Sequence, residues 1–122
     1  MSKRRVVVTG LGLLTPVGNT VEESWKNIIA GKSGIAPITA FDASGFSARI
    51  SGSVKNFDAS LYIKPKDQKK MDTFIHFGLA AGIQALDDSG IEVTDENAER
   101  IGVAIGSGIG GLPTIEKNRD AF

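Results

Sequence analysis

Residues 72–89 impose the strongest condition on any fold this chain adopts. Met71, Phe74, Ile75, Gly78, Leu79, Gly82, Ile83 and Leu86 recur at the i, i+3, i+4, i+7 spacing of one helical face, and Ala81 and Ala85 widen it. Burying the six large side chains of that set would contribute about 12 kcal/mol gross, at about 2 kcal/mol each. That is comparable with the whole net stability of a domain, about 5–15 kcal/mol. A face this wide needs partners on two sides. Gly78 and Gly82, one turn apart, are expected to let another backbone come close, and Gly90 is expected to end the helix.

The candidate partners are two β-branched runs. Arg5-Val6-Val7-Val8-Thr9 reads as a buried strand with a glycine exit at Gly10-Leu11-Gly12. Ile101-Gly102-Val103-Ala104-Ile105 reads as a second buried strand, running into Gly106-Ser107-Gly108-Ile109-Gly110-Gly111. Pro113 then opens a last helix that continues to Phe122. Thr20 and Glu23 fit a capping box for an earlier helix whose apolar face is Val21, Trp25, Ile28 and Ile29, with a stop at Gly31. Between these elements lies an excursion at about 34–70, with Pro37, Gly45 and Gly52 among the apolar anchors Phe41, Phe46 and Phe57. Within it Ile50, Gly52 and Val54 alternate with Arg49, Ser51 and Ser53, the pattern of a short hairpin strand. An excursion of this length inside a domain is expected to be ordered and functional. Thr94 or Asp95 is expected to cap a short helical turn in the acidic stretch that follows Asp87. The alternation is an α/β pattern with a parallel sheet, which two strands do not complete. The expectation is the opening segment of a larger protein.

Composition narrows the chemistry. The 14 basic and 14 acidic residues cancel, so no global field favours nucleic acid or an anionic membrane. No apolar run is long enough to span a bilayer. The basic start Met1-Ser2-Lys3-Arg4-Arg5 is followed by only Val6-Val7-Val8, too short for a signal-peptide core, so a cytoplasmic location is expected. There is no cysteine and one histidine, His76. A disulfide framework, a thiolate metal site and a cysteine nucleophile are therefore excluded within these residues. A histidine-centred triad or histidine metal site lacks its partners.

Two stretches stand out as candidate sites. Gly106 to Gly111 satisfies G-x-G-x-x-G between a strand and a helix, a pattern that in dinucleotide-binding units lets a pyrophosphate approach a helix N-terminus. The plainer reading is a glycine bend that admits a substrate or a neighbouring subunit. Lys66, Lys69 and Lys70, three and four apart, share one face of a helical turn and would steer an acidic partner. The plainer reading there is a solvated surface turn. His76 falls on the polar arc of its helix and is expected to be exposed. Trp25 and the phenylalanines are expected to pack rather than to form a ligand cage.

Several stretches, taken in order, resemble the β-ketoacyl-[acyl-carrier-protein] synthases. They are Arg5 to Gly12, Thr15-Pro16-Val17-Gly18-Asn19 with Trp25, Gly31-Lys32-Ser33-Gly34-Ile35, Phe41-Asp42, Lys69-Lys70-Met71-Asp72, Ala85 to Gly90, and Ile105 to Gly111. The resemblance extends over essentially the whole chain. Its details are more similar to the type II branch than to type I, with polyketide ketosynthase domains the nearest alternative. It implies a thiolase-like layered αβαβα fold, of which residues 1–122 form part of the N-terminal half, and a homodimer. It implies bacterial type II fatty acid synthesis, in which an acyl-cysteine intermediate condenses with malonyl-acyl carrier protein. By position, Lys66, Lys69 and Lys70 would dock acyl carrier protein, and Ile109 beside Gly108 would line the acyl-chain pocket. No cofactor or metal is expected. The family's Cys-His-His set has no match here, so this segment alone is expected to be inactive. Two readings from other classes stay open: a nucleotide-binding oxidoreductase segment using Gly106 to Gly111, and a binding module acting through the lysines alone.

Overall fold

The computed structural model describes residues 3–121; the basic start at Met1 and Ser2 and the end of the chain at Phe122 lie outside the described residues. In chain order the elements are helix α1 (Val21–Ile29), strands β1 (Ile35–Pro37) and β2 (Ile50–Gly52), a 3₁₀ turn (Ala59–Leu61), and the single-turn helix α2 (Pro65–Gln68). Helix α3 (Thr73–Ser89), a second 3₁₀ turn (Ala98–Arg100) and helix α4 (Leu112–Asp120) follow. Among these described residues no helix is long and apolar enough to cross a membrane.

α1 starts and stops as its sequence predicts. The Thr20 hydroxyl accepts from the Glu23 N–H, and the Glu23 carboxylate accepts from the N–H of Asn19, one residue before the usual capping-box partner. At the other end Gly31 is left-handed (φ 67°), its N–H reaches the Ile28 carbonyl, and the Lys32 N–H reaches Asn27. That 6→1, 5→2 pair is a Schellman motif, which satisfies carbonyls the helix leaves open. The expected apolar face is a different matter. Trp25 is 62% exposed and Ile28 and Ile29 are exposed, whereas Ser24 is fully buried. Its hydroxyl bonds the Gly18 carbonyl and the Thr15 hydroxyl, and the Asn27 amide donates to the Val17 carbonyl at 2.6 Å. Polar anchoring to the Thr15–Gly18 turn orients α1, because no described residue covers its hydrophobic stripe.

The excursion is ordered by three devices. β1 and β2 pair antiparallel with Ile35 opposite Gly52 and Pro37 opposite Ile50, so the expected strand around Ile50 is present and its partner is Ile35–Pro37. The Lys55 ammonium donates to the carbonyls of Gly34 (2.9 Å) and Pro16 (3.2 Å). Phe57 stacks on Tyr62 and meets Phe77 of α3 edge-on at 5.2 Å, a geometry aromatic pairs favour.

α3 keeps its expected limits, from Asp72 at the N-cap to a left-handed Gly90 (φ 64°). The run from Gly10 to Leu13 lies antiparallel along it. A Cβ on Gly12 would strike the Ala81 carbonyl, and one on Gly10 would strike Ala85 and stand 2.6 Å from the Ser89 nitrogen. The N–H groups of Leu11 and Leu13 donate to Asp88 (2.8 Å) and Gln84 (3.3 Å). Two residues of extended chain advance about 6.8 Å and four of helix about 6 Å, so alternate N–H groups match side chains four apart. Close approach was expected at the helical glycines. Instead the extended run supplies the glycines and the helix supplies alanines. Gly82 has no neighbour where a Cβ would stand, and at Gly78 a Cβ would meet Ile105 only at ordinary contact distance, 3.6 Å.

Two expectations about burial fail for one reason. Among the described residues Arg5–Thr9 and Ile101–Ile105 enter no ladder, and Val6 and Val103 are 88% and 84% exposed. Strand character becomes a strand only when neighbours take up the N–H and C=O groups. Here α3 covers the Gly10–Leu13 continuation of the first run and touches the second at Ile105, and no described strand lies beside either. For the same reason the six large residues of the α3 face are not fully buried; only Ala80 of that helix is, and the 12 kcal/mol estimate is not reached. The short turn after Glu92 is capped by neither Thr94 nor Asp95. The Asn97 side chain bridges it, accepting from the Thr94 N–H and donating to the Glu92 carbonyl.

Candidate functional site

The lysine turn and the hinge of the glycine loop at Gly110 and Gly111 meet at the N-terminal end of α3. Pro65 opens α2 with its fixed φ. Lys69 continues the helical backbone (φ −66°, ψ −14°), so Lys66, Lys69 and Lys70 ride on one exposed turn. Lys70 pairs with Asp67 at 3.7 Å. An exposed pair of this kind contributes at most about 1 kcal/mol. Among the described residues Lys66 and Lys69 have no ion-pair partner.

The turn is fastened from below. The Gln68 amide donates to the Ile63 carbonyl (2.7 Å) and the Ser60 hydroxyl (3.2 Å). The Gln68 carbonyl lies 3.2 Å from Nε2 of His76. A carbonyl can only accept, so a hydrogen bond here requires the tautomer with its N–H at Nε2. His76 is thus half-buried under the lysine turn rather than exposed, because the chain before α3 folds back over that arc of the helix.

The glycine loop closes on the same end of α3. Gly110 is left-handed (φ 82°), and the Phe74 ring lies 3.3 Å from where a Cβ would stand. At Gly111 the Asp72 carboxylate leaves no room for a Cβ at all. Thr114, in the first turn of α4, donates its hydroxyl to Asp72 at 2.5 Å. A depression of about 240 Å³, lined by Lys69, Lys70, Met71, Asp72, Ile75 and Thr114, joins the lysine turn to this loop. A larger cleft of about 450 Å³ lies between the first turns of α3 and the chain at 105–107. Its walls are Phe74, Ile75, Phe77, Gly78, Leu79, Ile105, Gly106 and Ser107, a lining suited to a hydrocarbon chain. Gly108 and Ile109 are not among those residues. Ile109 is 75% exposed at the loop tip.

This geometry disfavours the nucleotide reading. In dinucleotide units the glycine loop offers free N–H groups to a pyrophosphate at the helix N-terminus. Here a carboxylate already stands against Gly111, so a phosphate would face a like charge. Among the described residues no group of three or more His, Cys, Asp or Glu is placed to hold a metal. Asp72, Thr114 and Phe77 were absent from the sequence-based site. Phe77 is adjacent to the periodic face and could have been included. The Asp72–Thr114 pair spans 42 residues and leaves no local signal.

Residues 3–121 match the family model for the beta-ketoacyl synthase N-terminal domain. The chain belongs to that family. Along all 122 residues it is 64% identical to 3-oxoacyl-[acyl-carrier-protein] synthase 2 of Vibrio harveyi, covering 29% of that protein. It is 64% identical to the protein of the same name from Vibrio cholerae serotype O1 and 53% to that from Coxiella burnetii, covering 30% of each. Among solved structures it is similar to the ishigamide ketosynthase/chain length factor, with a TM-score of 0.65 and 36% identity over 75% of this chain and 23% of that one. The fold is the thiolase-like α/β fold of ketosynthases, of which the chain is an N-terminal segment. It spans under a third of the length of the synthases it matches. A layered sheet fold covers its strands with further strands and helices; among the described residues Val6–Val8, Ile101–Ile105 and the α1 stripe carry no such cover.

Proposed function

We propose that these residues are the N-terminal part of a condensing enzyme of type II fatty acid synthesis. The reaction elongates acyl-acyl carrier protein with malonyl-acyl carrier protein. A cysteine thiolate elsewhere in the whole enzyme attacks the acyl thioester and releases the carrier thiol. Malonyl decarboxylation then provides a carbanion that attacks the acyl-cysteine, forming the carbon–carbon bond and releasing the thiolate. The segment itself contains no cysteine to acylate.

The observation that carries this reading is the unbroken 64% identity to two proteins named 3-oxoacyl-[acyl-carrier-protein] synthase 2. The ishigamide ketosynthase/chain length factor is less similar, at 36% identity. On this reading Lys66, Lys69 and Lys70 receive the acidic carrier protein, and Gly108 and Ile109 line the acyl pocket of the complete enzyme. Residues 1–122 are then a partial N-terminal domain, and the enzyme works as a homodimer in the cytoplasm. Lys66 and Lys69, exposed and without an ion-pair partner among the described residues, support the docking role. The apolar cleft against α3, which ends at Ser107 beside Gly108, supports an acyl chain lying near this loop.

The test is elongation of an acyl-carrier substrate by the whole enzyme carrying this segment, beside a titration with NAD(H) and NADP(H). Malonyl-dependent elongation without nucleotide binding is the expected result. Nucleotide binding without elongation would overturn the reading, and so would acyl-enzyme formation by the isolated 122-residue chain.

A further inference from the structure

We propose that Asp72 is a positioning residue that ties the lysine turn to the glycine loop and thereby sets acyl chain-length preference. The inference rests on the roles just given to the lysines and to Ile109.

Asp72 is the N-cap of α3, where an aspartate ordinarily accepts from an N–H of its own first turn. Its side chain makes no such bond. The carboxylate is turned away from the helix it should cap. It accepts instead from Thr114, 42 residues on, and its other oxygen packs against Gly111. Phe74, in the first turn of α3, closes on Gly110. The hinge of the glycine loop is therefore fastened to the residue that follows Lys69-Lys70-Met71. The loop tip has no such support: Gly106 and Gly108 have no neighbour where a Cβ would stand, and Ile109 is exposed. With the tip unsupported, the hinge at 110–111 decides where Ile109 stands. A carrier protein resting on Lys69 and Lys70 would lie over the depression that Asp72 and Thr114 line.

The experiment uses the whole enzyme with Thr114→Val, which removes the hydroxyl at nearly constant size, and Thr114→Ser, which keeps it. Thr114→Ala repeats the test without the branched side chain. The readouts are the ratio of kcat/KM for long and short acyl-carrier substrates, KM for the carrier protein, and Tm. Thr114→Val and Thr114→Ala are expected to change the ratio about fivefold, the scale of one hydrogen bond, while Thr114→Ser restores it. An unchanged ratio, or equal losses for every chain length, would overturn the inference and leave the proposed function standing. A wild-type enzyme that does not elongate at all would remove the proposed function itself.

Discussion

The side-chain amide of Gln84 donates to the carbonyl of Asn19 across 2.9 Å, joining the middle of α3 to the turn that introduces α1. The same amide donates to the Tyr62 hydroxyl at 3.0 Å, and its oxygen accepts from the Leu13 N–H. One half-buried side chain thus ties α3 to Tyr62 and to the run from Leu13 to Asn19. Replacing it with leucine leaves a carbonyl, a hydroxyl and an N–H without partners. Gln84→Leu is expected to destabilise the fold by about 1–3 kcal/mol, the cost of stranding part-buried polar groups. Urea denaturation checks this, and a midpoint equal to wild type would contradict it.

Gly12 presses against the Ala81 carbonyl with no space for a side chain, and the Ala85 nitrogen is 2.8 Å from the same point. Both obstacles are backbone, so neither can rotate away. Gly12→Ala should cost about 1–3 kcal/mol through overpacking. Gly82→Ala places its methyl in open space within a helix and should stabilise by up to about 1 kcal/mol. Thermal melts of the two variants should move in opposite directions.

The lysines differ in what already holds them. Lys70 shares its charge with Asp67, whereas Lys69 has no described ion-pair partner. Lys69→Glu should therefore weaken carrier-protein binding by about tenfold at low salt, and Lys70→Glu by less. Both effects should shrink as ionic strength rises and the Debye length falls. Calorimetry at two salt concentrations measures this.

Asp42 provides a pH-dependent contact. The Ser44 N–H donates to its carboxylate at 2.9 Å, and this bond, with help from the Ser44 side chain, holds the Asp42 pKa below the usual aspartate value. A lowered folded-state pKa means the loop's stabilisation is present above the unfolded aspartate pKa. It is lost as pH falls through the folded value. An NMR titration of Asp42 should give a midpoint below that of an unstructured aspartate, and Ser44→Pro, which removes the N–H, should raise it.

Local chemistry was legible in the sequence. Thr20 and Glu23, Gly31 and Gly90 mark helix ends through hydrogen bonds made within a few residues, and all sit where expected. The lysine turn was legible for the same reason, since a short spacing decides which side chains share a face. Burial was not legible. Val6–Val8 and Ile101–Ile105 carry the composition of sheet interiors, but composition records a preference and not the presence of a neighbour. His76 illustrates the opposite error. Its polar arc looked solvent-facing until a turn eight residues earlier in the chain folded over it. Asp72 reads as a helix cap and acts as a cross-link, because its partner comes from a different helix.

The main-chain stretches at 6–9 and 102–105, which enter no ladder among the described residues, bear on handling of the polypeptide. Each offers a row of amide groups ready to accept a foreign strand. A purified preparation of these 122 residues should therefore self-associate as concentration rises, and recruitment of added β-forming peptides should compete with that clumping.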